Sequence, residues 1–245
     1  MLSPRIGFTL ITVAAAFALA SCNATSPAVA EPVASERHAG ASLDLRQIYA
    51  DLGKTDGKVF TLDPKASQVR IYAFRAGRAA KVGHNHVLSA PQFVGFAFLP
   101  SAATANARFD LEFRLDQLEI DNPDYRAPLG AAFSSTLTAA AIEGTREHML
   151  GADNLEADQF PYVRIHSIQV SGESPKFAAQ VEVELHGQKR QMWIPLSVDG
   201  LPGHLHVSGS FVLRQTDFGA RPYSVLGGLL AVQDEVIVEF SLVGA

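Results

Sequence analysis

The sequence predicts an all-β fold, a single antiparallel up-and-down barrel or sandwich with one or two short helices. Two observations carry this prediction. Short stretches in which apolar and polar residues alternate with a period of two recur along the 245-residue chain, and tight-turn residues separate these stretches. Only a few segments have helical spacing. About eight strands would close a barrel with room for packed side chains or one apolar ligand.

Alternation is clearest in five stretches, each typical of a strand with one apolar face and one wet face. They are SQVRIYAF (67–74), FDLEFRL (109–115), QVEVELH (180–186), HLHVSGSFVL (204–213) and EVIVEFSLV (235–243). Residues 92–99, 160–170 and 190–198 are predicted to be three further strands. The alternation changes phase in the second of these, which predicts a bulge near His166-Ser167. Pro195 predicts an exposed edge in the third.

Turn signals lie between the strands. Gly187-Gln188 and residues 198–204 have hairpin spacing and composition. Asp121–Asp124, with the sequence DNPD, is predicted to be a turn because Asx and Pro residues favour one. Asp217-Phe218-Gly219 is interpreted as a bend whose glycine permits a positive φ.

Two segments have helical spacing. Residues 43–57 are predicted to be a lead-in with a short amphipathic helix over 43–52, since Leu45, Ile48, Tyr49 and Leu52 recur at helical intervals. Residues 136–151 are predicted to form the second helix, ending at Gly151.

The first 21 residues predict a secretion signal. An apolar run too short to span a bilayer follows Arg5, and Leu19-Ala20-Ser21-Cys22 resembles a bacterial lipobox, in which the cysteine becomes lipidated. Cys22 is the only cysteine, so no internal disulfide can form. A plain cleavable signal is the alternative. We expect a periplasmic protein anchored through Cys22, with the outer membrane favoured by Asn23.

Residues 22–42 are rich in Ala, Ser and Pro and are predicted to be a flexible tether before a barrel domain over 58–245.

Composition and the lack of known catalytic motifs argue against nucleic-acid binding and against catalysis. The formal net charge is −5, and the scattered Lys and Arg residues form no nucleic-acid-binding pattern. The chain contains no G-x-S-x-G elbow, no Gly-rich phosphate loop and no Cys–His nucleophile pair, so we expect a protein that is not an enzyme.

Histidines supply the strongest hint of a polar site. In KVGHNHVL (81–88), His84 and His86 would share one face of an extended chain. One interpretation is a polar barrel mouth formed by His84, Asn85 and His86 beside a ligand headgroup. The other is a zinc or copper site, which needs a third ligand, for which His148 is the candidate. His204 and His206 form a second such pair, on the predicted wet face of their strand.

Four segments, in the right order, resemble the YceI family of lipocalin-like bacterial envelope proteins that hold polyisoprenoid chains. These segments are FTLDPKASQVRIYAF (60–74), LGADNLEADQFPYVRIHS (150–167), VEVELHGQKRQMWIPLSV (181–198) and GSFVLRQTDFGARPYSVLGGLLAVQDEVIVEFSLV (209–243). The central segment departs from the best-known members. They have an Arg-Asp pair and a paired aromatic where this chain has Thr145-Arg146-Glu147 and Asn154-Leu155.

The resemblance implies a lipocalin-like barrel of about eight strands that binds an isoprenoid-type lipid, such as a quinone, or another long-chain apolar ligand, without catalysis. The predicted ligand-lining residues are the apolar members of the alternating strands. They are Val69, Ile71, Phe109, Leu111, Phe113, Val181, Val183, Leu205, Val207, Phe211, Val238 and Phe240. Two alternatives remain open from the residues alone: a metal-binding or redox role for His84 and His86, and a structural envelope protein whose interior is filled by side chains.

Overall fold

The alternating stretches form one antiparallel sheet of twelve strands. The structure, a computed structural model, describes residues 42–101 and 106–245, so the predicted signal, Cys22 and the tether before Ser42 lie outside the described residues. The strands are β1 (Gly57–Thr61), β2 (Gln68–Ala76), β3 (His86–Ser89), β4 (Val94–Pro100), β5 (Arg108–Arg114), β6 (Glu119–Ile120), β7 (Tyr162–Glu173), β8 (Lys176–Leu185), β9 (Gln188–Asp199), β10 (Leu205–Arg214), β11 (Ser224–Val225) and β12 (Leu230–Gly244).

The sheet curls into a lipocalin-like half-barrel. Its strand order is β1-β4-β5-β7-β8-β9-β10-β12-β2-β3-β6, with β11 paired to β12. Beyond β1, Leu62 bridges Gly244, and the Thr61 amide donates to the Ala245 carbonyl at 2.9 Å. These bonds join the first strand to the end of β12 and make a circuit of eight strands. Seven of the eight strands predicted from the sequence belong to this circuit, and β1, which was not among them, completes it. The eighth predicted strand, β2, pairs with β12 outside the circuit and continues into β3 and β6, while β11 pairs with β12.

The described residues include three α-helices besides the sheet: α1 (Leu45–Leu52), α2 (Pro123–Arg126) and α3 (Ala139–Leu150). Two were predicted, and each begins two or three residues later than its predicted start. The cap explains the start in both cases, because the side chains of Asp44 and Thr138 accept hydrogen bonds from the backbone amides of Gln47 and Ala141. None of the helices in the described part of the chain combines the length and apolarity needed to span a membrane.

Local irregularities fall where the sequence predicted them. The register of β7 against β8 shifts between Ser167 and Gln169, which confirms the bulge. The ladder between β9 and β10 covers Leu196–Asp199 and stops at Pro195, which lacks an amide hydrogen. Gly219 follows a short 3₁₀ turn and has a φ of 75°, which confirms the positive φ predicted for this bend.

Helix α1 packs on the outer face of β4 and β5 and overturns one prediction. Its Tyr49 ring stacks on Phe96 with centroids 5.2 Å apart. Beneath the helix, Asp110 and Glu112 are buried, although the alternation in β5 predicted that both face water. The sequence pattern failed here because an element outside the barrel covers the polar face.

The covered carboxylates are fully paired. Asp110 accepts a 2.8 Å hydrogen bond from the Tyr49 hydroxyl and lies 2.6 Å from His166 Nδ1. Glu112 accepts from Arg164 Nε at 2.7 Å, and Arg164 also reaches Glu184. Burial, and then the adjacent Asp110 carboxylate, raise the pKa of Tyr49 well above its ordinary range. This network fastens α1 to the barrel.

Candidate functional site

The concave face of the sheet encloses two adjoining chambers. The first, here called the apolar chamber, has a volume of about 140 Å³ and is walled almost entirely by aliphatic and aromatic side chains from the strands of the circuit. Arg108 and Asp110 also border it; Arg108 is exposed, and the Asp110 carboxylate is bound to Tyr49 and His166 on the outer face. Representative lining residues of the apolar chamber are Phe60, Leu62, Phe177, Ile194, Val198 and Leu205.

The second, here called the mixed chamber, is larger, at about 420 Å³. Strands form one side and α3 forms another. Polar residues are present among its lining residues, namely His86, Thr145, His148, Asn154, Gln215 and Tyr223. No Lys, Arg, Asp or Glu side chain from the described residues lines this chamber.

Four residues line both chambers and define a waist between them: Val69, Ile165, Phe211 and Val238. They come from β2, β7, β10 and β12. Since these side chains are shared, the chambers meet end to end along the barrel interior. The interior is therefore a two-part cavity rather than a solid core.

The predicted lining residues lie in this cavity with one exception. Phe109, Leu111, Leu205, Val207 and Phe240 line the apolar chamber, and Ile71, Phe113 and Val183 line the mixed chamber, while Val69, Phe211 and Val238 form part of the waist. Val181 points inward too, but it is completely covered by its neighbours and reaches neither chamber. The period-two pattern predicted which strand side chains point inward, but it could not distinguish those that line a cavity from those in a packed core.

His86 is the polar group of the mixed chamber with the most elaborate support. It begins β3, its side chain is 15% exposed, and its Nδ1 lies 2.6 Å from Oδ2 of Asp121, which is fully buried. The other carboxylate oxygen of Asp121 accepts from the Val87 amide at 3.0 Å and from the guanidinium of Arg126. Arg126 in turn donates to the carbonyls of Asn85 and Phe133, each at 2.8 Å.

Asp121 is held in its ionised form. Burial by itself would raise the pKa of Asp121, but His86, the Val87 amide and Arg126 together keep this pKa below its ordinary value of 3.8. An ionised carboxylate only accepts hydrogen bonds, so the proton of the shared bond resides on His86 Nδ1. In the neutral imidazole, Nε2 is then a hydrogen-bond acceptor, available to a group inside the mixed chamber.

The sequence interpretation missed Asp121 and Arg126. DNPD was predicted to be a turn; Asn122 does cap α2, but Asp121 itself sits at φ 55° and faces inward to His86. Residues that are 35 positions apart give no periodic signal. A left-handed residue followed by Asn-Pro is compatible with many turns, so only the folded structure identifies the partner.

The other two predicted mouth residues have different roles. Asn85 is buried; its side chain accepts from the Arg75 amide and donates to the Ala132 carbonyl, each at 3.0 Å, so it ties loops together. His84 precedes β3, outside the lining of either chamber, and its Nδ1 is buried without a hydrogen-bond partner in the described part of the chain. Of the three, only His86 lines a chamber.

The structure does not assemble the predicted metal triad. His148 lines the mixed chamber and packs on the Tyr223 ring, with centroids 4.9 Å apart. Within residues 42–101 and 106–245, no three His, Cys, Asp or Glu side chains group closely enough to hold a metal ion. His204 and His206 stay near the β9–β10 turn, where His206 Nε2 lies 2.9 Å from Ser241 Oγ.

The segment that departs from the family pattern forms the side of the mixed chamber opposite the strands. Helix α3 contributes Thr145 and His148 to the lining, yet none of its residues is buried. Arg146 holds the helix in place by donating to the carbonyls of Leu118 at 2.9 Å and Asp116 at 3.2 Å. Asn154 donates to the Arg221 carbonyl at 2.6 Å, which links the end of α3 to the loop before β11.

Comparison with known proteins agrees with this architecture. Two solved structures have the same fold. BcnA of Burkholderia cenocepacia superposes with a TM-score of 0.53 at 13% identity, covering 75% of this chain and 99% of its own. A polyisoprenoid binding domain from Saccharophagus degradans superposes with a TM-score of 0.50 at 14% identity, covering 76% of this chain and 97% of its own. No curated protein matches the sequence.

The family assignment rests on the sequence itself. The model of the YceI-like domain matches residues 60–244, the region that contains every strand from β2 to β12, both chambers and the His86–Asp121 pair. This match spans most of the chain. The chain therefore belongs to the family of YceI-like domain proteins.

Proposed function

We propose that this protein binds one long-chain apolar lipid of the isoprenoid type, with the chain threaded through the waist. The tail would occupy the apolar chamber and the polar end would lie beside His86 in the mixed chamber. The observation that carries this proposal is the two-part cavity, in which one chamber is walled almost entirely by apolar side chains and the other includes several uncharged polar side chains. A polyisoprenoid binding domain with the same fold supports the choice of ligand class.

The binding free energy would come from burial of the chain. Each methylene group removed from water contributes about 0.8 kcal/mol, so ten such groups supply about 8 kcal/mol before the cost of immobilising the ligand. No catalytic group is needed for this. The single hydrogen bond at His86 would fix the direction of the ligand rather than most of its affinity.

The headgroup would be uncharged, such as an alcohol or a quinone carbonyl. His86 offers an acceptor when neutral and a donor when protonated, which suits a hydroxyl or a carbonyl respectively. The proposal further includes secretion to a bacterial periplasm and attachment to a membrane through a lipidated Cys22. Both of these elements rest on the N-terminal sequence pattern alone.

The alternatives receive less support. A structural role with a solid interior does not agree with a cavity of this size and apolarity. A metal-dependent role would need a third ligand beside His84 and His86, and the described residues contain no cluster of three His, Cys, Asp or Glu side chains.

Native mass spectrometry tests the proposal. Arg37–Ala245 form one compact unit that contains the whole sheet, so this unit can be produced alone in a bacterial periplasm. We expect an adduct of several hundred daltons that organic solvent releases. Failure to acquire an added isoprenoid alcohol such as geranylgeraniol, after delipidation and refolding to the original melting temperature, would contradict the proposal.

A further inference from the structure

Two loops at the mixed chamber present the most exposed large apolar side chains of the described residues. Val82 is 70% exposed and Leu226 is 73% exposed. Val82 lies in the loop between β2 and β3, and Leu226 lies in the loop between β11 and β12. Single exposed apolar residues are common, but these two lie in loops that touch each other.

The contact between the loops is made by backbone. The Ala79 amide donates to the Leu229 carbonyl at 2.9 Å, and Gly77 lies so close to the Gly228 and Leu229 carbonyls that a Cβ there would clash at 2.5–2.7 Å. The loops therefore form one surface. We call residues 77–84 and 221–229 the mouth-loop surface.

The mouth-loop surface adjoins the mixed chamber. Ala73 and His86, on either side of the first loop, line that chamber, and so do Tyr223 and Val232, within and just after the second. Tyr223 lines the mixed chamber and is also exposed to solvent, so its side chain belongs to both the chamber and the mouth-loop surface. A lipid that leaves or enters the mixed chamber beside Tyr223 would pass this surface.

Backbone conformation holds Leu226 outward. Leu226, Gly227 and Gly228 have φ values of 54°, 64° and 79°, three consecutive residues in the left-handed region. This conformation is unfavourable for leucine, which gains nothing from its exposed position in the folded protein. The arrangement is expected where an apolar side chain serves an external contact.

Charge adds a second feature. The protein has a formal net charge of −5, yet residues 64–109 contain no Asp or Glu, and neither do residues 218–233. Arg78 and Lys81 are exposed in the first loop, on either side of Ala79 and Ala80 and next to Val82. Arg221 is exposed in the second loop, so the Asp, Glu, Lys and Arg residues within the mouth-loop surface are all cationic.

We infer that the mouth-loop surface docks on a lipid bilayer that carries anionic headgroups, with Val82 and Leu226 inserted between the lipids. Exposed apolar tips flanked by cations fit the boundary between headgroups and acyl chains. A bilayer suits this place better than another protein, because it is also the source or destination of an apolar ligand. The inference rests on the proposed function for its purpose, but docking is measurable without any ligand.

Vesicle co-sedimentation of the Arg37–Ala245 unit tests the docking. The vesicles are phosphatidylcholine alone and phosphatidylcholine mixed with phosphatidylglycerol. We expect binding to the mixed vesicles, weakened by at least about tenfold in V82S/L226S because two inserted side chains are lost. R78Q/K81Q should lose about tenfold on the mixed vesicles and nothing on the neutral ones.

The matched control is Val212→Ser, which alters an apolar residue of 57% exposure on the outer face of β10 and should bind vesicles like the unchanged protein. Equal vesicle binding by V82S/L226S and the unchanged protein would overturn the inference. So would a dimer in solution that V82S/L226S abolishes, since the surface would then bind a second copy. Measurement of the geranylgeraniol adduct in the unchanged protein separates the two proposals. An adduct without binding to the mixed vesicles refutes docking alone, and vesicle binding without an adduct refutes the proposed function alone.

Discussion

The apolar chamber and the mixed chamber belong to one interior but are built differently. Strand residues at every second position supply most of the wall of the apolar chamber, and Arg108 and Asp110 are its only charged lining residues among those described. The mixed chamber is bounded by strands, α3 and the loop before β11. Most of the polar residues that line the cavity come from these less regular parts of the mixed chamber, so the two ends of the cavity differ in polarity.

Two histidine–aspartate pairs with the same geometry lie in different surroundings. His86–Asp121 and His166–Asp110 each have an Nδ1–Oδ distance of 2.6 Å. The first lines the mixed chamber, whereas the second lies on the outer face, where Asp110 also binds Tyr49 of α1. Identical pairing thus serves a cavity in one place and the attachment of a helix in the other.

Loss of the carboxylate behind the mixed chamber should have the largest effect. Asp121→Asn leaves the Arg126 guanidinium buried without its counter-charge, and we expect the free energy of unfolding at neutral pH to fall by about 3–5 kcal/mol. Asp124→Asn, on the exposed side of α2, is the control and should change little. Urea unfolding measures both; equal stability of the two variants would contradict the role assigned to Asp121.

The same residue predicts a pH dependence. The pKa of Asp121 is lower in the folded protein than its ordinary value of 3.8, so its contribution is present above pH 3.8 and is lost as the pH falls below that value through the folded pKa. Asp121→Asn should have a shallower loss of stability in this acid range than the unchanged protein. Parallel curves of unfolding free energy against pH would show that Asp121 is not the group responsible.

Closure of the waist should separate the chambers. Val238→Trp projects an indole between them, and we expect affinity for geranylgeraniol to fall at least about 100-fold because the tail loses the apolar chamber. Short alcohols that fit the mixed chamber should bind nearly unchanged. Val212→Trp, on the outer face of the neighbouring β10, is the control, and a similar loss in both variants would argue against passage through the waist.

A hydroxyl group should be tolerated in one chamber and not in the other. Val198→Thr adds an unpaired hydroxyl to the wall of the apolar chamber and should weaken geranylgeraniol binding about tenfold. Thr145→Val removes one from the mixed chamber and should change affinity less. Fluorescence displacement titrations measure the affinity of both variants. A larger loss of affinity in Thr145→Val than in Val198→Thr would mean that the ligand lies with its tail in the mixed chamber.

The smallest effect is expected at the headgroup. His86→Phe keeps a ring in the mixed chamber but loses the hydrogen bond, so the preference for geranylgeraniol over a hydrocarbon of equal length should fall about fivefold. His166→Phe removes the corresponding ring from the outer pair and should leave this preference intact. Isothermal titration resolves such a difference, and an unchanged preference in His86→Phe would remove His86 from the site.

The sequence predicted the parts of the molecule that follow a regular period. The long strands, the α1 and α3 helices, the bulge in β7 and the inward face were all visible in the alternation of apolar residues. Strands β1, β3, β6 and β11 were missed because two to five residues hold no recognisable period. The buried state of Asp110 and the pairing of Asp121 with His86 were missed because both depend on elements that are distant in the chain.

A crystal structure of the Arg37–Ala245 unit with geranylgeraniol would test the central claim most directly. Our account predicts continuous ligand density through the waist formed by Val69, Ile165, Phe211 and Val238, with the hydroxyl within hydrogen-bond distance of His86 Nε2. Density confined to the outer surface, or a hydroxyl in the apolar chamber, would contradict it.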